Sequence, residues 1–208
     1  MSVRTLPRLA WLVAAMSAAV VEVNAVRCAS AQGVVPNPEF DVAAVAEWTG
    51  DIASLAWSQT DPDCVPANAS GSLLVSPADL QTPATAFLCV AAPPAGAWNF
   101  TFVVRAECEE VVQGILRYYS EPACGGTFLG SEETGGTTLG GSWDQAELAP
   151  TAPPLGTQSI WIGLKLSQSI TSMCDARFDK IHLGSGIPLL RSGFETGSSA
   201  CRWSATVP

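Results

Sequence analysis

The chain has 208 residues, 48% of them hydrophobic and 14% charged, with a formal net charge of −9. That acidity excludes the basic surface that a nucleic-acid partner needs. Seven Trp and seven Phe supply more core-forming area than a disordered polyanion carries.

Arg4 and Arg8 stand ahead of an apolar run from Leu9 to Val21, which leads to Ala29-Ser30-Ala31, the small-x-small form that a signal peptidase requires. Residues 1–31 are therefore expected to be a secretory signal. Cleavage after Ala31 is preferred to cleavage after Ala25, although Val23-Asn24-Ala25 has the same form. The run falls short of the roughly 20 apolar residues that span a bilayer, and Glu22 interrupts its end. Arg27 stands before Cys28, where a lipoprotein needs a small residue. The expected product is secreted or extracytoplasmic, with no membrane span after cleavage. Removing Arg4, Arg8, Arg27 and Glu22 leaves 177 residues with 7 basic and 18 acidic side chains, a net charge of −11. That length suits one domain.

Val42 to Glu47 carries the one hint of helical spacing, and it is too short to hold a helix alone. Strand signals then follow in order. Ser72–Ser76 and Thr85–Ala91 precede Trp98–Glu107, in which Trp98, Phe100, Phe102, Val104 and Ala106 share one side. A period of two means a half-buried strand. Gly114–Ser120, Thr127–Ser131 and Asp144–Leu148 come next. Ser159–Leu166 repeats the strong signal, with Ile160, Ile162, Leu164 and Leu166 opposite Trp161, Gly163 and Lys165. Arg177–Leu183 closes the series, and there Phe178 is on one parity while Ile181 and Leu183 are on the other. Burying all three requires a bulge near Asp179 or Lys180. Pro93-Pro94-Ala95-Gly96, Gly125-Gly126, Gly135-Gly136, Gly140-Gly141 and Pro150–Pro154 punctuate these runs. The pattern predicts an all-β fold, an antiparallel β-sandwich of jelly-roll type over residues 34–184. Residues 185–208, mostly small and polar, read as a tail.

Cys28 leaves with the signal, and Cys64, Cys89, Cys108, Cys124, Cys174 and Cys201 remain, an even number in an oxidising compartment. Disulfides are the expectation. The cysteines are too far apart for zinc, and His182 is the only histidine. Spacing leaves the pairing open. The preferred scheme joins Cys108 to Cys124 across a local hairpin, Cys64 to Cys89, and Cys174 to Cys201.

The order of several short motifs resembles a known family. Asn37-Pro38-Glu39-Phe40 leads to Trp48, Gly71-Ser72 opens a strand, Cys89 lies within one, Arg117-Tyr118-Tyr119 precedes Cys124-Gly125-Gly126, and Phe178-Asp179-Lys180-Ile181-His182-Leu183 comes last. Together they resemble the galactose-binding-like jelly rolls, close to the CenC-type carbohydrate-binding modules, over roughly Asn37 to Leu183. The resemblance implies that the opening Asn-x-x-Phe and closing Phe-Asp segments lie side by side on the first and last strands. It also implies a structural calcium there, with Asp179, Glu39 and Asp41 as ligand candidates, since hard oxygens suit that ion. A solvated or salt-bridged Asp179 is the competing account. In the tail, Ser192-Gly193-Phe194-Glu195-Thr196-Gly197 followed by Trp203-Ser204 is similar to a Gly-Phe-Glu-x-Gly…Trp-Ser ending of exported bacterial proteins. It departs from that ending by carrying Cys201-Arg202 before Trp203. A processing or retention signal and a tail tied back through Cys201 are the two readings of it.

Sugar binding needs an aromatic face for the apolar side of a pyranose and polar groups for its hydroxyls. Parity puts Trp161 opposite four aliphatic residues, and Tyr119 with Arg117 opposite Leu116 and Tyr118. If their strands are neighbours, Trp161, Tyr119 and Arg117 form a ligand-binding platform. The competing expectation is a covered Trp161, and Trp48, Trp57, Trp98 and Trp143 read as core. No Gly-x-Ser-x-Gly accompanies His182, which argues against a hydrolase triad. Glu107, Glu109, Glu110, Glu132 and Glu133 read as solvated charges rather than a catalytic pair. The triplets Asn68-Ala69-Ser70 and Asn99-Phe100-Thr101 match the N-glycosylation pattern and carry no weight. Three functions follow in order: a secreted, non-catalytic carbohydrate-binding module holding a glycan or cell-surface polysaccharide; an extracellular structural or adhesive domain without sugar binding; and a glycan-acting enzyme with an unidentified carboxylate pair.

Overall fold

The computed structural model describes residues 34–60, 62, 70–93, 96–107, 110–167 and 173–184. The expected signal at residues 1–31, the expected tail at residues 185–208, Cys64, Cys108 and Cys201 lie outside the described residues, which all belong to the second of the chain's two units, residues 31–208. Eleven strands are found among them: β1 (Thr49–Asp51), β2 (Ala53–Ser58), β3 (Ser72–Pro77), β4 (Ala84–Ala91), β5 (Trp98–Ala106), β6 (Glu110–Glu121), β7 (Gly125–Glu133), β8 (Thr137–Leu139), β9 (Asp144–Thr151), β10 (Ser159–Ser167) and β11 (Ala176–Gly184). One sheet runs β1-β4-β10-β6-β7, with β8 paired to β6; the other runs β2-β3-β11-β5-β9. Every pairing among them is antiparallel. From β3 to β6 and again from β8 to β11 the chain crosses between the sheets at each step, as a jelly roll does.

Period-two alternation does the sorting. Ala84, Ala86, Leu88 and Val90 of β4 and Ile160, Ile162, Leu164 and Leu166 of β10 turn inward, to meet Phe100, Phe102 and Val104 of β5 and Phe178 of β11. Phe102 packs on Phe100 and Phe178 with ring centroids 5.5 and 5.8 Å apart. Each such side chain removed from water contributes about 1.5–3 kcal/mol. At one margin Thr151 Oγ1 of β9 donates to Glu132 Oε1 of β7 at 2.7 Å, which ties the two sheets together.

The expected strands are all present, and β1, β2 and β8 add to them. β6 is longer than Gly114–Ser120, because the short β8 pairs with Glu110–Val112 and extends its ladder. Val42–Glu47 forms bends and turns rather than a helix. The Asn37 side chain is the reason: its Nδ2 donates to Val42 O at 2.9 Å and its Oδ1 accepts from Val42 N at 3.4 Å, which imposes a turn.

β11 carries the expected bulge. Asp179 pairs with Val103 and His182 with Thr101, so Lys180 and Ile181 together oppose Phe102 alone. Lys180 takes φ 51°, and Asp179 Oδ1 accepts its amide at 2.8 Å. The bulge buries both parities, since Phe178, Ile181 and Leu183 are all 0% exposed. It also frees the Ile181 amide to donate to Pro38 O at 3.0 Å, and Val34 N donates to Leu183 O at 3.1 Å. The opening segment therefore lies beside β11, as the resemblance implied, but as a chain of turns rather than a strand. Phe40 is its plug, 0% exposed, and its carbonyl accepts from Trp57 Nε1 at 2.9 Å. The Trp57 indole occupies the space where Gly71 would carry a Cβ, so Phe40, Trp57 and Gly71 make one packing unit.

Candidate functional site

The outward face of the β10 sheet is built row by row. Across its central strands, Trp161 is flanked by Cys89 of β4 and Arg117 of β6, Gly163 by Phe87 and Ile115, and Lys165 by Thr85 and Gln113. Ser159 pairs with Tyr119, which in turn pairs with Phe128 of β7. The strands carrying Trp161, Tyr119 and Arg117 are thus neighbours, and all three side chains share the outward face.

The Trp161 indole leans along its own strand over Gly163, where a Cβ would overlap its Cζ3 and Cη2 atoms. Phe87 stacks on it with centroids 5.3 Å apart and planes 26° from parallel. Arg117 Cζ sits 4.5 Å from the centre of the same ring. Because β4 and β6 flank β10 on opposite sides, Phe87 and Arg117 approach the indole from opposite sides. Tyr119 and Phe128 meet edge to face at 6.0 Å. The result is a diagonal stripe, Phe87, Trp161, Arg117, Tyr119 and Phe128, across four strands. Phe128 is 54% exposed, and the Arg117 side chain is open to solvent. Such stacked pairs contribute about 0.5–1.5 kcal/mol each and an exposed cation–π contact about 0.5–1 kcal/mol, so the stripe is a preorganised surface. Donors stand alongside it, since Lys165 Nζ donates to Gln113 Oε1 at 3.4 Å.

A turn bounds the stripe at one end. After β6 the chain makes a 3-10 turn, Pro122–Cys124, over the start of β10. Ser159 Oγ donates to Glu121 O and accepts from Cys124 N at 2.9 Å. Cys124 then bonds Cys89 of β4, with a Cα–Cα distance of 5.9 Å. This replaces both Cys108–Cys124 and Cys64–Cys89. No local hairpin can join positions 108 and 124, because β6 runs uninterrupted between them for about 40 Å. Cys174 is also disulfide-bonded.

The three cation-ligand candidates lie on two neighbouring segments, the opening turns and β11. Asp179 is fully buried and caps the bulge, whereas Asp41 is exposed and Glu39 half-buried on the opening turns. Among the described residues no three Asp, Glu, His or Cys side chains group together as metal ligands by themselves. Of the indoles expected in the core, Trp48 and Trp98 are buried and Trp57 packs against it, while Trp143 is half-exposed and outside it. Phe87, Phe128, Gln113 and Lys165 were not singled out from the sequence. For Phe87 and Lys165 the signal was available, since each alternates with inward aliphatic neighbours on its strand. Below the stripe, burial and then the negative charge of Glu132 hold the Tyr118 phenol well above the ordinary tyrosine range.

No protein-family model matches the chain, and no curated protein matches it. Solved structures do. The enzymatically active domain of bacteriophage CBA120 tailspike protein 4 is similar at a TM-score of 0.58 and 14% identity, over 73% of this chain and 21% of that one. The chain therefore spans about a fifth of that protein. The CBM22-2 xylan-binding domain of Paenibacillus barcinonensis Xyn10C gives 0.52 and 14%, over 72% of this chain and 98% of that domain. The C-terminal family 22 carbohydrate-binding module of Clostridium thermocellum Xyn10B gives 0.50 and 16%, over 70% and 90%. At the level of the fold, the chain is thus similar to the β-sandwiches of carbohydrate-binding modules.

Proposed function

We propose that this protein is a secreted, non-catalytic carbohydrate-binding module that holds a glycan on the outward face of the β10 sheet. The observation that carries this reading is the aromatic stripe with Arg117 and Gln113 beside it. The other sheet supplies the contrast: its outward rows carry Leu74, Arg177, Arg105, Glu147 and the buried Thr101 and His182, with no Phe, Tyr or Trp among the described residues. A sugar would lay its apolar face against the exposed Phe128 and the half-buried Trp161 and Tyr119 rings and direct its hydroxyls to Arg117 and Gln113. Secretion is supported by the leader pattern and by the Cys89–Cys124 disulfide.

One observation favours the second reading, an extracellular structural or adhesive domain without sugar binding. Phe87 and Arg117 already occupy the faces of Trp161, so this ring offers its edge unless Arg117 swings away. The experiment is a glycan-array screen of the mature protein, with and without calcium, beside Trp161→Ala. Binding that the variant loses supports the module. Absence of binding in both conditions refutes it and leaves the structural reading.

A further inference from the structure

The charge on the candidate face runs against the charge of the chain. The mature chain carries 18 acidic and 7 basic residues, yet the middle of this face presents two cations, Arg117 on β6 and Lys165 on β10. Among the described residues neither has a carboxylate partner: Arg117 contacts the Trp161 ring and Lys165 the Gln113 amide. Arg177 on the opposite sheet, by contrast, is paired with Glu107 at 2.7 Å. The outward carboxylates lie at the margins of the face, Asp51 on the edge strand β1, Glu133 on β7, and Glu121 where β6 enters the turn.

We propose that the glycan held on this face is acidic, a polysaccharide bearing uronate carboxylates. This rests on the glycan-binding reading above and adds its chemical class. Lys165 lies four residues along β10 from the Trp161–Arg117 row, about 13 Å at strand rise. The cations are thus spaced along the strands, with Asp51 and Glu133 flanking them on either side and Glu121 beyond Tyr119 at the turn end of β6. An acidic chain running parallel to β6 and β10 meets both cations. One crossing the strands meets Asp51 or Glu133 and is repelled. The planar guanidinium of Arg117 offers paired donors that match a carboxylate, and the nearby rings take the apolar side of the same sugar.

The test is affinity electrophoresis of the mature protein through gels containing polygalacturonate or its fully methyl-esterified form, with chelator present to remove divalent cations. The two polymers share a backbone and differ in the charge of the carboxyl group. The expected result is retardation by the free acid alone, abolished at about 0.5 M salt. Arg117→Gln and Lys165→Gln should each weaken it about tenfold, with Arg177→Gln as the unaffected control. Equal retardation by both polymers, or binding confined to neutral glycans on the array, overturns the acidic-ligand proposal and leaves the module reading intact. No binding to any glycan overturns both.

Discussion

Removal of the Cys89–Cys124 bond tests how the turn beside the site is held. The cross-link closes a loop of 35 residues, and loop-closure entropy for that length is worth about 4 kcal/mol at 25 °C. Cys89 is exposed and Cys124 only half-buried, so replacing both with serine sacrifices little apolar burial. Nearly the whole loss should therefore come from the freed unfolded chain. Ala123 and Cys124 both sit at φ 55°, a left-handed conformation that costs about 1–2 kcal/mol per residue. Without the bond the turn is free to relax away from Ser159. In urea unfolding followed by tryptophan fluorescence, the Cys89→Ser, Cys124→Ser protein should lose about 3–4 kcal/mol and show a steeper m-value, since its unfolded state exposes more surface. A loss below about 1 kcal/mol would mean that the Ser159 hydrogen bonds hold the turn unaided, and would refute the assignment of its stability to the cross-link.

Three further outcomes follow from the packing. Phe40→Ala should destabilise the fold by about 3–5 kcal/mol, because its ring is wholly buried and its segment is docked on the β11 bulge; a loss under about 1 kcal/mol in urea would show that the opening segment is dispensable. Gly163→Ala should expel the indole from its seat, costing about 1 kcal/mol after the strand gains from losing glycine, and should reduce glycan retention as Trp161→Ala does; unchanged retention contradicts the stripe as the contact surface. In Tyr119→Phe, Tyr118 becomes the sole tyrosine. Its raised phenol favours the neutral form in the fold, so that stabilisation is complete below the usual value of about 10 and declines as pH rises beyond it. Tyrosinate absorbance should appear only with alkaline unfolding, and a titration near pH 10 in folded protein would count against this burial.

Strands whose alternation involves large residues, such as β5 and β10, were legible because period two and burial coincide. Thr49–Asp51 and Thr137–Leu139 were not, since three residues without an apolar row acquire strand geometry only from neighbours β4 and β6. The bulge was readable from the parity conflict around Phe178 and Ile181. Its role in docking Pro38 was not, because that depends on a partner far away in the sequence. For the same reason spacing could not reveal Cys89–Cys124: the pairing requires β4 and β6 to flank β10. Parity placed Trp161, Arg117 and Tyr119 on one face, but the Phe87 and Arg117 contacts that enclose the indole arise from strand order.

The central claim is that a glycan contacts the outward face of the β10 sheet. Amide and indole chemical-shift mapping of the mature protein, titrated with the strongest array ligand, tests it most directly. Shifts concentrated at Phe87, Gln113, Arg117, Tyr119, Phe128 and the Trp161 indole are predicted. Shifts confined to the β11 sheet, or absent at saturating ligand, would contradict it.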